Sequence, residues 1–136
     1  MPESPVRYRH TLREARAAAA DAAGSAHPRS ALHQAMGHLA GAFQRHLSDC
    51  EKAEGLLPVV AADAPRLTSA VEALLREHRE ISENIQHLRR RLSAEYGPSP
   101  ETKEEILALL DLLAEHDQRE SGLMLDAYNV DVGEGD

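Results

Sequence analysis

Two pairs of metal-ligating side chains recur in this sequence at a spacing of four residues. His116 and Glu120 form one pair, in HDQRE, and Cys50 and Glu54 form the other, in CEKAE. On a helix, residues four apart lie on the same face, so each pair can reach one point beside its helix. Imidazole, carboxylate and thiolate are all ligands for metal ions. Each pair therefore predicts part of a metal site that lies between helices.

Three stretches of the chain carry apolar stripes with the 3–4 spacing of a helix, and each stripe includes polar members. A stripe of this kind faces a core, where an unpaired carboxylate is costly, so its polar members need partners. The stripes are Leu32, Met36, Leu39, Phe43, His46, Cys50, Ala53 and Leu57; then Val71, Leu74, His78, Ile81, Ile85, Leu88 and Leu92; then Ile106, Leu109, Leu113, His116, Glu120 and Leu123.

Proline and glycine divide the chain into four segments, at about 4–23, 30–57, 65–92 and from 100 onward. The first segment is rich in alanine and has no dominant apolar face, but it carries His10. Four helices with short links and inward stripes describe an all-α, up-down-up-down antiparallel four-helix bundle. We expect residues 1–128 to form this bundle. The last helix should fray near Asn129 and leave 129–136 as an acidic C-terminal tail.

Counting from the predicted turns tests whether the polar residues share one level of the bundle. Facing residues of antiparallel neighbours are equidistant from the turn between them. The midpoint of His78 and His116 is position 97, and that of Cys50 and His78 is 64, so both fall in predicted turns. The midpoint of His10 and Cys50 is 30, which leaves His10 about two turns, or roughly 9 Å, off level. The predicted metal site comprises His10, Cys50, Glu54, His78, His116 and Glu120.

The predicted ligand set contains three imidazoles, two carboxylates and one thiol. Mixed nitrogen and oxygen ligands suit iron or manganese better than a closed tetrahedral zinc site. When ionised, the set carries a charge of about −3, which two divalent cations would compensate. Carboxylates on different helices can also bridge two ions. We therefore expect two ions of iron or manganese, with Cys50 as a thiolate ligand.

The order and placement of these residues resemble the pattern of the hemerythrin-like, HHE cation-binding four-helix bundles. The resemblance covers about residues 7–128. Such proteins have a His near the start of the first helix and His-x-x-x-Glu before an apolar stretch and Pro on the second. They have an EH motif on the third helix and His-x-x-x-Glu on the fourth. The matching residues are His10 in YRHTL, Glu54 in AEGLLPVV, His78 in LLREHREI, and His116 with Glu120 in HDQRE.

The chain departs from that family pattern at two positions. Cys50 stands where the family has its second-helix histidine, and Ser82 stands where the oxygen-carrying hemerythrins have a second histidine on the third helix. The resemblance then implies open coordination positions on both metals. Open positions favour redox turnover or sensing of dioxygen, peroxide or nitric oxide over reversible oxygen carriage. His46, one turn before Cys50, is predicted either to replace the missing imidazole or to act as an outer, second-layer group.

Composition narrows the classes of partner and the expected location. The chain has 136 residues with 15 Lys and Arg against 23 Asp and Glu, a net charge of −8, which argues against binding nucleic acid or anionic membranes. Its apolar runs, at 56–62 and 107–114, are shorter than the ~18 residues of a membrane span. The single cysteine and an N-terminus without a secretory signal predict a reducing cytoplasm.

Three classes of function remain open at this point. The first is a diiron protein that reduces or senses a small gas or oxidant, and as an oxidoreductase it would need a redox partner, which the sequence does not identify. The second is an iron-binding store or sensor without turnover. The third is a metal-free helical interaction module, which apolar heptads alone also indicate.

Overall fold

The computed structural model describes residues 5–24, 28–52, 55–95 and 98–134, and their side chains over 12–24, 31–52, 55–95 and 98–127. The predicted all-α bundle is confirmed, since the described residues form helices and no strand. Its long helices pack as a bundle, and a short helix and a 3-10 turn link two of them. The elements are α1 Pro5–Ala23, α2 Pro28–Glu51, α3 Leu56–Asp63, a 3-10 turn Pro65–Leu67, α4 Thr68–Ala94 and α5 Pro100–Glu134.

Contacts between helix ends establish the antiparallel arrangement of α2, α4 and α5. His33, near the start of α2, places its Nε2 3.0 Å from the carbonyl oxygen of Leu92, near the end of α4. Arg91, also near the end of α4, donates to Thr102 Oγ1 at 2.8 Å, near the start of α5. Around the bundle, α1 packs on α2 and α5, and α4 packs on the other sides of the same two helices.

Two apolar clusters fill the bundle on either side of a layer of buried polar side chains. This polar layer consists of His46, His78, His116 and Glu120. The larger cluster draws on all four long helices, whereas the smaller cluster consists of Cys50, Leu57, Val60, Val71, Leu74 and Leu123. Along α4, Leu74 belongs to the smaller cluster and Ile81 to the larger, and the buried His78 lies between them. The stripe predicted for α4 is confirmed, because its seven members are the buried residues of that helix. The polar layer is thus bounded by hydrocarbon above and below.

The second predicted segment, 30–57, is wrong as a single helix. Helix α2 ends at Glu51, and α3 is a separate helix that carries Leu57. At the turn, Gly55 N–H donates to the carbonyl of Lys52 at 2.7 Å. A Cβ at Gly55 would lie 2.2 Å from the carbonyl oxygen of Asp49, so the close approach requires glycine here. Pro58 falls in the first turn of α3, where its missing N–H is not needed.

A hydrogen-bond network fixes the turn between α4 and α5. The buried Thr102 donates from Oγ1 to Glu95 Oε1 at 2.7 Å, and Ser99 N–H donates to Glu95 Oε2 at 3.1 Å. Hydrogen bonds from Thr102 and from the backbone of Ser99 lower the pKa of Glu95 below its ordinary value. Because this turn sets the register of the two helices, it also aligns His78 with His116.

Helix α5 continues beyond its predicted end near Asn129 and reaches Glu134. The stretch from 129 to 134 contains no proline, and its one glycine, Gly133, stands beside the end of the helix, so nothing in it breaks the helix earlier. The boundary between bundle and acidic tail at residue 128 remains a prediction. Within the described part of the chain, no helix combines the length and apolarity needed to cross a membrane.

Candidate metal centre

Four side chains of the polar layer converge on one point between the helices. His46 comes from α2, His78 from α4, and His116 and Glu120 from successive turns of α5. One ligand atom from each residue lies within 4.8 Å of the other three. All four residues are buried, with at most 2% of their surface exposed. We call these four residues the His3Glu group.

Glu120 Oε1 is the centre of the His3Glu group. His46 Nε2 lies 2.8 Å from this oxygen and His78 Nε2 lies 2.9 Å from it. His116 Nε2 also contacts Glu120 Oε1 from one turn earlier on α5. The two rings of His78 and His116 bring their Nε2 atoms to 3.0 Å from each other. Every histidine of the group therefore presents the same nitrogen, Nε2, to the interior.

The environment of Glu120 favours its ionised form. Burial by itself would raise the pKa of this carboxyl group, because it penalises the charge. Hydrogen bonds from His116, His46 and His78 outweigh that penalty and hold the pKa of Glu120 far below its ordinary value. The group thus contains an anionic oxygen ligand surrounded by three imidazoles.

Two outer carboxylates determine which nitrogen of His78 and His116 carries the proton. His78 Nδ1 lies 2.9 Å from Glu51 Oε2, and His116 Nδ1 lies 2.5 Å from Glu77 Oε1. An ionised carboxylate can only accept a hydrogen bond, so each Nδ1 must be the donor. A metal ion that binds the group takes the place of the Nε2 proton that Glu120 accepts in the metal-free protein, and the Nε2 lone pair of the neutral ring then points at the ion. This is the outer-layer pattern that orients histidine ligands toward a metal ion.

The donor arrangement fits a metal ion. Two Nε2 lone pairs facing each other at 3.0 Å, both beside an anionic oxygen, repel one another unless a cation lies among them. Three protonated rings would instead place like charges on imidazoles whose centroids are 4.7 to 5.7 Å apart. Neighbouring ligands of one ion are about 3 to 3.4 Å apart when each bond is about 2.1 Å. The 2.8 and 2.9 Å from His46 and His78 to Glu120 Oε1, and the 3.0 Å between the Nε2 atoms of His78 and His116, lie near the lower end of that spacing.

Phe43 packs against all three rings from the side of the larger apolar cluster. Its ring centroid lies 5.9 Å from that of His46, 6.0 Å from that of His78 and 6.5 Å from that of His116. Phe43 is 1% exposed and precedes His46 by one turn of α2. It limits the space into which the imidazoles can rotate and keeps water away from that side of the group.

Cys50 lies beside the His3Glu group on its other side, in the smaller apolar cluster. Its Sγ atom is 3.6 Å from His46 Nε2, and the residue is 9% exposed. Sγ is not among the four ligand atoms that lie within 4.8 Å of one another. The thiol is therefore adjacent to the group, one turn further along α2.

Comparison with known proteins gives a match over most of the chain. The family model of the hemerythrin HHE cation binding domain matches residues 7–128. The chain belongs to the hemerythrin HHE cation-binding family. No curated protein and no solved structure matches it significantly. The resemblance seen in the sequence is thus confirmed, and the HHE domain accounts for the four long helices and for a group that can hold a cation.

The structure brings together three of the six residues that the sequence predicted as ligands of this HHE domain, namely His78, His116 and Glu120. Cys50 lies next to them. Glu54 and the side chain of His10 lie outside the described residues, so their part in the site remains a prediction. The backbone of His10 belongs to α1, one turn before Arg13, which donates to Asp117 Oδ2 at 2.8 Å. This turn of α1 therefore lies beside the turn of α5 that carries His116.

His46 is the member of the group that sequence analysis placed in an accessory role. The HHE-family pattern led us to align Cys50 with the second-helix histidine, yet the ring on this helix that enters the group is His46. Its membership of the apolar stripe was the available signal. Glu51 and Glu77 lie off the stripes and act through contacts with other helices, so the stripes do not reveal them. For Glu77 the available signal was the EH motif of the third helix, of which it is the first residue.

Proposed function

We propose that this HHE domain is a non-heme iron protein that handles or senses a small oxidant or gas. The observation that carries the proposal is the convergence of three Nε2 atoms and one carboxylate oxygen in a buried layer. Manganese would fit the same nitrogen and oxygen ligands.

The His3Glu group is proposed as the first ion site. With neutral rings, its own charge is −1, from Glu120, and Glu51 and Glu77 add carboxylates at the outer nitrogens. A divalent or trivalent cation is therefore well compensated. Apolar clusters on both sides of the layer strengthen these electrostatic interactions by excluding water.

A second ion beside the first is proposed to bind Cys50, Glu54 and His10. The 3.6 Å separation between Cys50 Sγ and His46 Nε2 supports a thiolate ligand next to the first ion. The contact from Arg13 to Asp117 supports the approach of α1, the helix that carries His10. In this arrangement Cys50 would be the soft, electron-rich ligand of the pair.

Bound iron would supply one-electron redox chemistry, while the chain supplies a fixed, dry and selective environment. The outer carboxylates orient two of the rings, and Phe43 restricts their rotation. Since the layer is at most 2% exposed, only a small molecule fits beside the ligands. Dioxygen, peroxide and nitric oxide meet that requirement. A cytoplasmic location and a redox partner belong to the same proposal.

Iron content and the visible spectrum test this function directly. Protein purified from iron-supplemented medium should contain about two irons per chain and show different spectra when oxidised and reduced. A preparation without bound iron would overturn the proposal, and one iron per chain would overturn its dinuclear part. The comparison variant is the double substitution His78→Ala, His116→Ala, which removes two ligands of the first ion and should bind less iron than wild type. Consumption of peroxide, dioxygen or nitric oxide by the loaded protein would then favour turnover over storage or sensing.

A further inference from the structure

We infer that Glu77, held in place by Arg119, is a positioning residue for the metal centre and acts through His116. The inference rests on the proposed function, because it concerns how strongly the His3Glu group binds its ion. It assigns a role to an ion pair at the surface of α4 and α5 that is not itself part of the group.

Both carboxylate oxygens of Glu77 have partners. Oε1 accepts from His116 Nδ1 at 2.5 Å and from Arg119 Nε at 3.1 Å. Oε2 accepts from Arg119 Nη2 at 2.6 Å. The two-pronged contact with the planar guanidinium fixes the plane of the carboxylate as well as its position. The Glu77 side chain is 17% exposed, so it has little freedom to leave this geometry.

A fixed carboxylate at Nδ1 has two effects on the His116 ring. It keeps the proton on Nδ1, which leaves the Nε2 lone pair available to the ion, and it holds the ring plane in one orientation. It also makes the ring a stronger electron donor to a metal. His116 contacts no solvent while Glu77 is in place, so in the native protein Nδ1 has the carboxylate and not water as its partner.

The equivalent contact at His78 is less firmly held. Glu51 accepts from His78 Nδ1 at 2.9 Å, but its side chain is 40% exposed. Within the described part of the chain, no lysine or arginine forms an ion pair with Glu51 of the kind that Arg119 forms with Glu77. Of the two outer carboxylates, Glu77 is therefore the one whose loss should weaken metal binding more.

Arg119 is closer to solvent than the carboxylate it holds. Its side chain is 45% exposed and lines, with Glu77, Gly122 and Leu123, a cavity of about 260 Å³ between α4 and α5. Solvent screening weakens an ion pair of this exposure. Loss of Arg119 should therefore have a smaller effect than loss of Glu77, and in the same direction.

The experiment compares zinc binding by full-length wild type, Glu77→Ala, Glu77→Gln and Arg119→Gln. Zinc is redox-inactive, so affinity can be measured by competition with a chelator without turnover. We expect Glu77→Ala to bind about 10- to 100-fold more weakly. Glu77→Gln should fall between it and wild type, because an amide oxygen still accepts from Nδ1. The matched control is Glu80→Ala, which removes the same charge from an exposed position on α4.

The tautomer of His116 is the second measurement, and a role in folding alone would not change it. Nitrogen-15 NMR of the ring, at pH 8 with and without zinc, should show the proton on Nδ1 in wild type and in Glu80→Ala. The Glu77→Ala ring should show both tautomers when zinc is absent. Unchanged zinc affinity together with an unchanged tautomer in both Glu77 variants would overturn the inference. If wild type bound no metal, the proposed function would fail, and the tautomer of the metal-free proteins would still decide the role of Glu77.

Discussion

His46 Nε2 and Glu120 Oε1 lie 2.8 Å apart, although 74 positions separate the two residues in the sequence. The contact joins α2 to α5, which face each other across the bundle rather than packing as neighbours around it. Both side chains are almost wholly buried. The His3Glu group therefore spans the centre of the bundle and links its two diagonal helices.

Replacement of His46 by alanine should weaken binding of the first ion. The substitution removes one of four donor atoms, so we expect the affinity for zinc to fall at least as far as the 10- to 100-fold typical of a lost outer contact. The measurement is competition with a chelator at constant pH. His87→Ala is the matched control, because that histidine is exposed on α4. An affinity equal to that of wild type would place His46 outside the coordination of the ion.

The stability of the metal-free protein should depend on the ionisation of Glu120. Although burial opposes it, hydrogen bonds from three histidines lower the pKa of this group in the folded state. A lowered pKa stabilises the fold fully above the ordinary value of 4.5, and the stabilisation is lost as the pH falls toward the folded-state value. Removal of one partner from such a buried cluster costs about 3 to 5 kcal/mol.

Glu120→Gln tests this dependence in urea unfolding at pH 7, 5 and 3. The difference in free energy of unfolding between wild type and variant should be largest at pH 7 and should shrink toward pH 3. Glu80→Gln, at an exposed position on α4, should show no such trend. A difference of the same size at all three pH values would contradict a stabilising role for the ionised carboxylate.

The stripes could be predicted from the sequence because burial on one helix face is a property of that helix alone. The apolar spacing of α4 gave its buried residues correctly, His78 included. The same stripes also indicated that His116 and Glu120 face inward, and both are buried. The spacing of the apolar residues along a helix thus indicates whether a polar residue on that helix faces the core.

The end of α2, the role of Glu77 and the choice of His46 could not be predicted in this way. They depend on contacts between different parts of the chain, which the apolar spacing of one helix does not show. The end of α2 depends on the close approach of Gly55 to Asp49. Leu57, which the predicted stripe placed on the same helix as Cys50, therefore belongs to α3. Glu77 recognises a ring 39 positions away through a contact of its own helix with α5. Counting from turns gave the level of the site but not the choice of His46 over Cys50, which are one turn apart.

Phe43 should stabilise both the fold and the arrangement of the rings. Phe43→Ala leaves a cavity beside three imidazoles, so we expect a loss of about 3 to 5 kcal/mol in the free energy of unfolding and weaker zinc binding. Leu88→Ala is the comparison, because Leu88 is fully buried in the larger cluster but lies ten residues from His78 on α4. Leu88→Ala should lower the free energy of unfolding by about 2 to 5 kcal/mol and keep the zinc affinity of wild type. Equal affinities in both variants would show that Phe43 does not hold the rings.

Cys50 should determine the visible spectrum of the iron-loaded protein. A thiolate bound to ferric iron absorbs visible light through charge transfer from sulfur, and the Sγ atom lies 3.6 Å from a ring of the His3Glu group. We expect this band to disappear in Cys50→Ser, while the helical circular dichroism and the iron bound by the His3Glu group remain. Ser48→Ala, on the same helix, is the control and should keep the band. A spectrum unchanged in Cys50→Ser would mean that the thiol packs beside the centre without binding iron, because a hydroxyl in its place cannot reproduce the absorption of a thiolate.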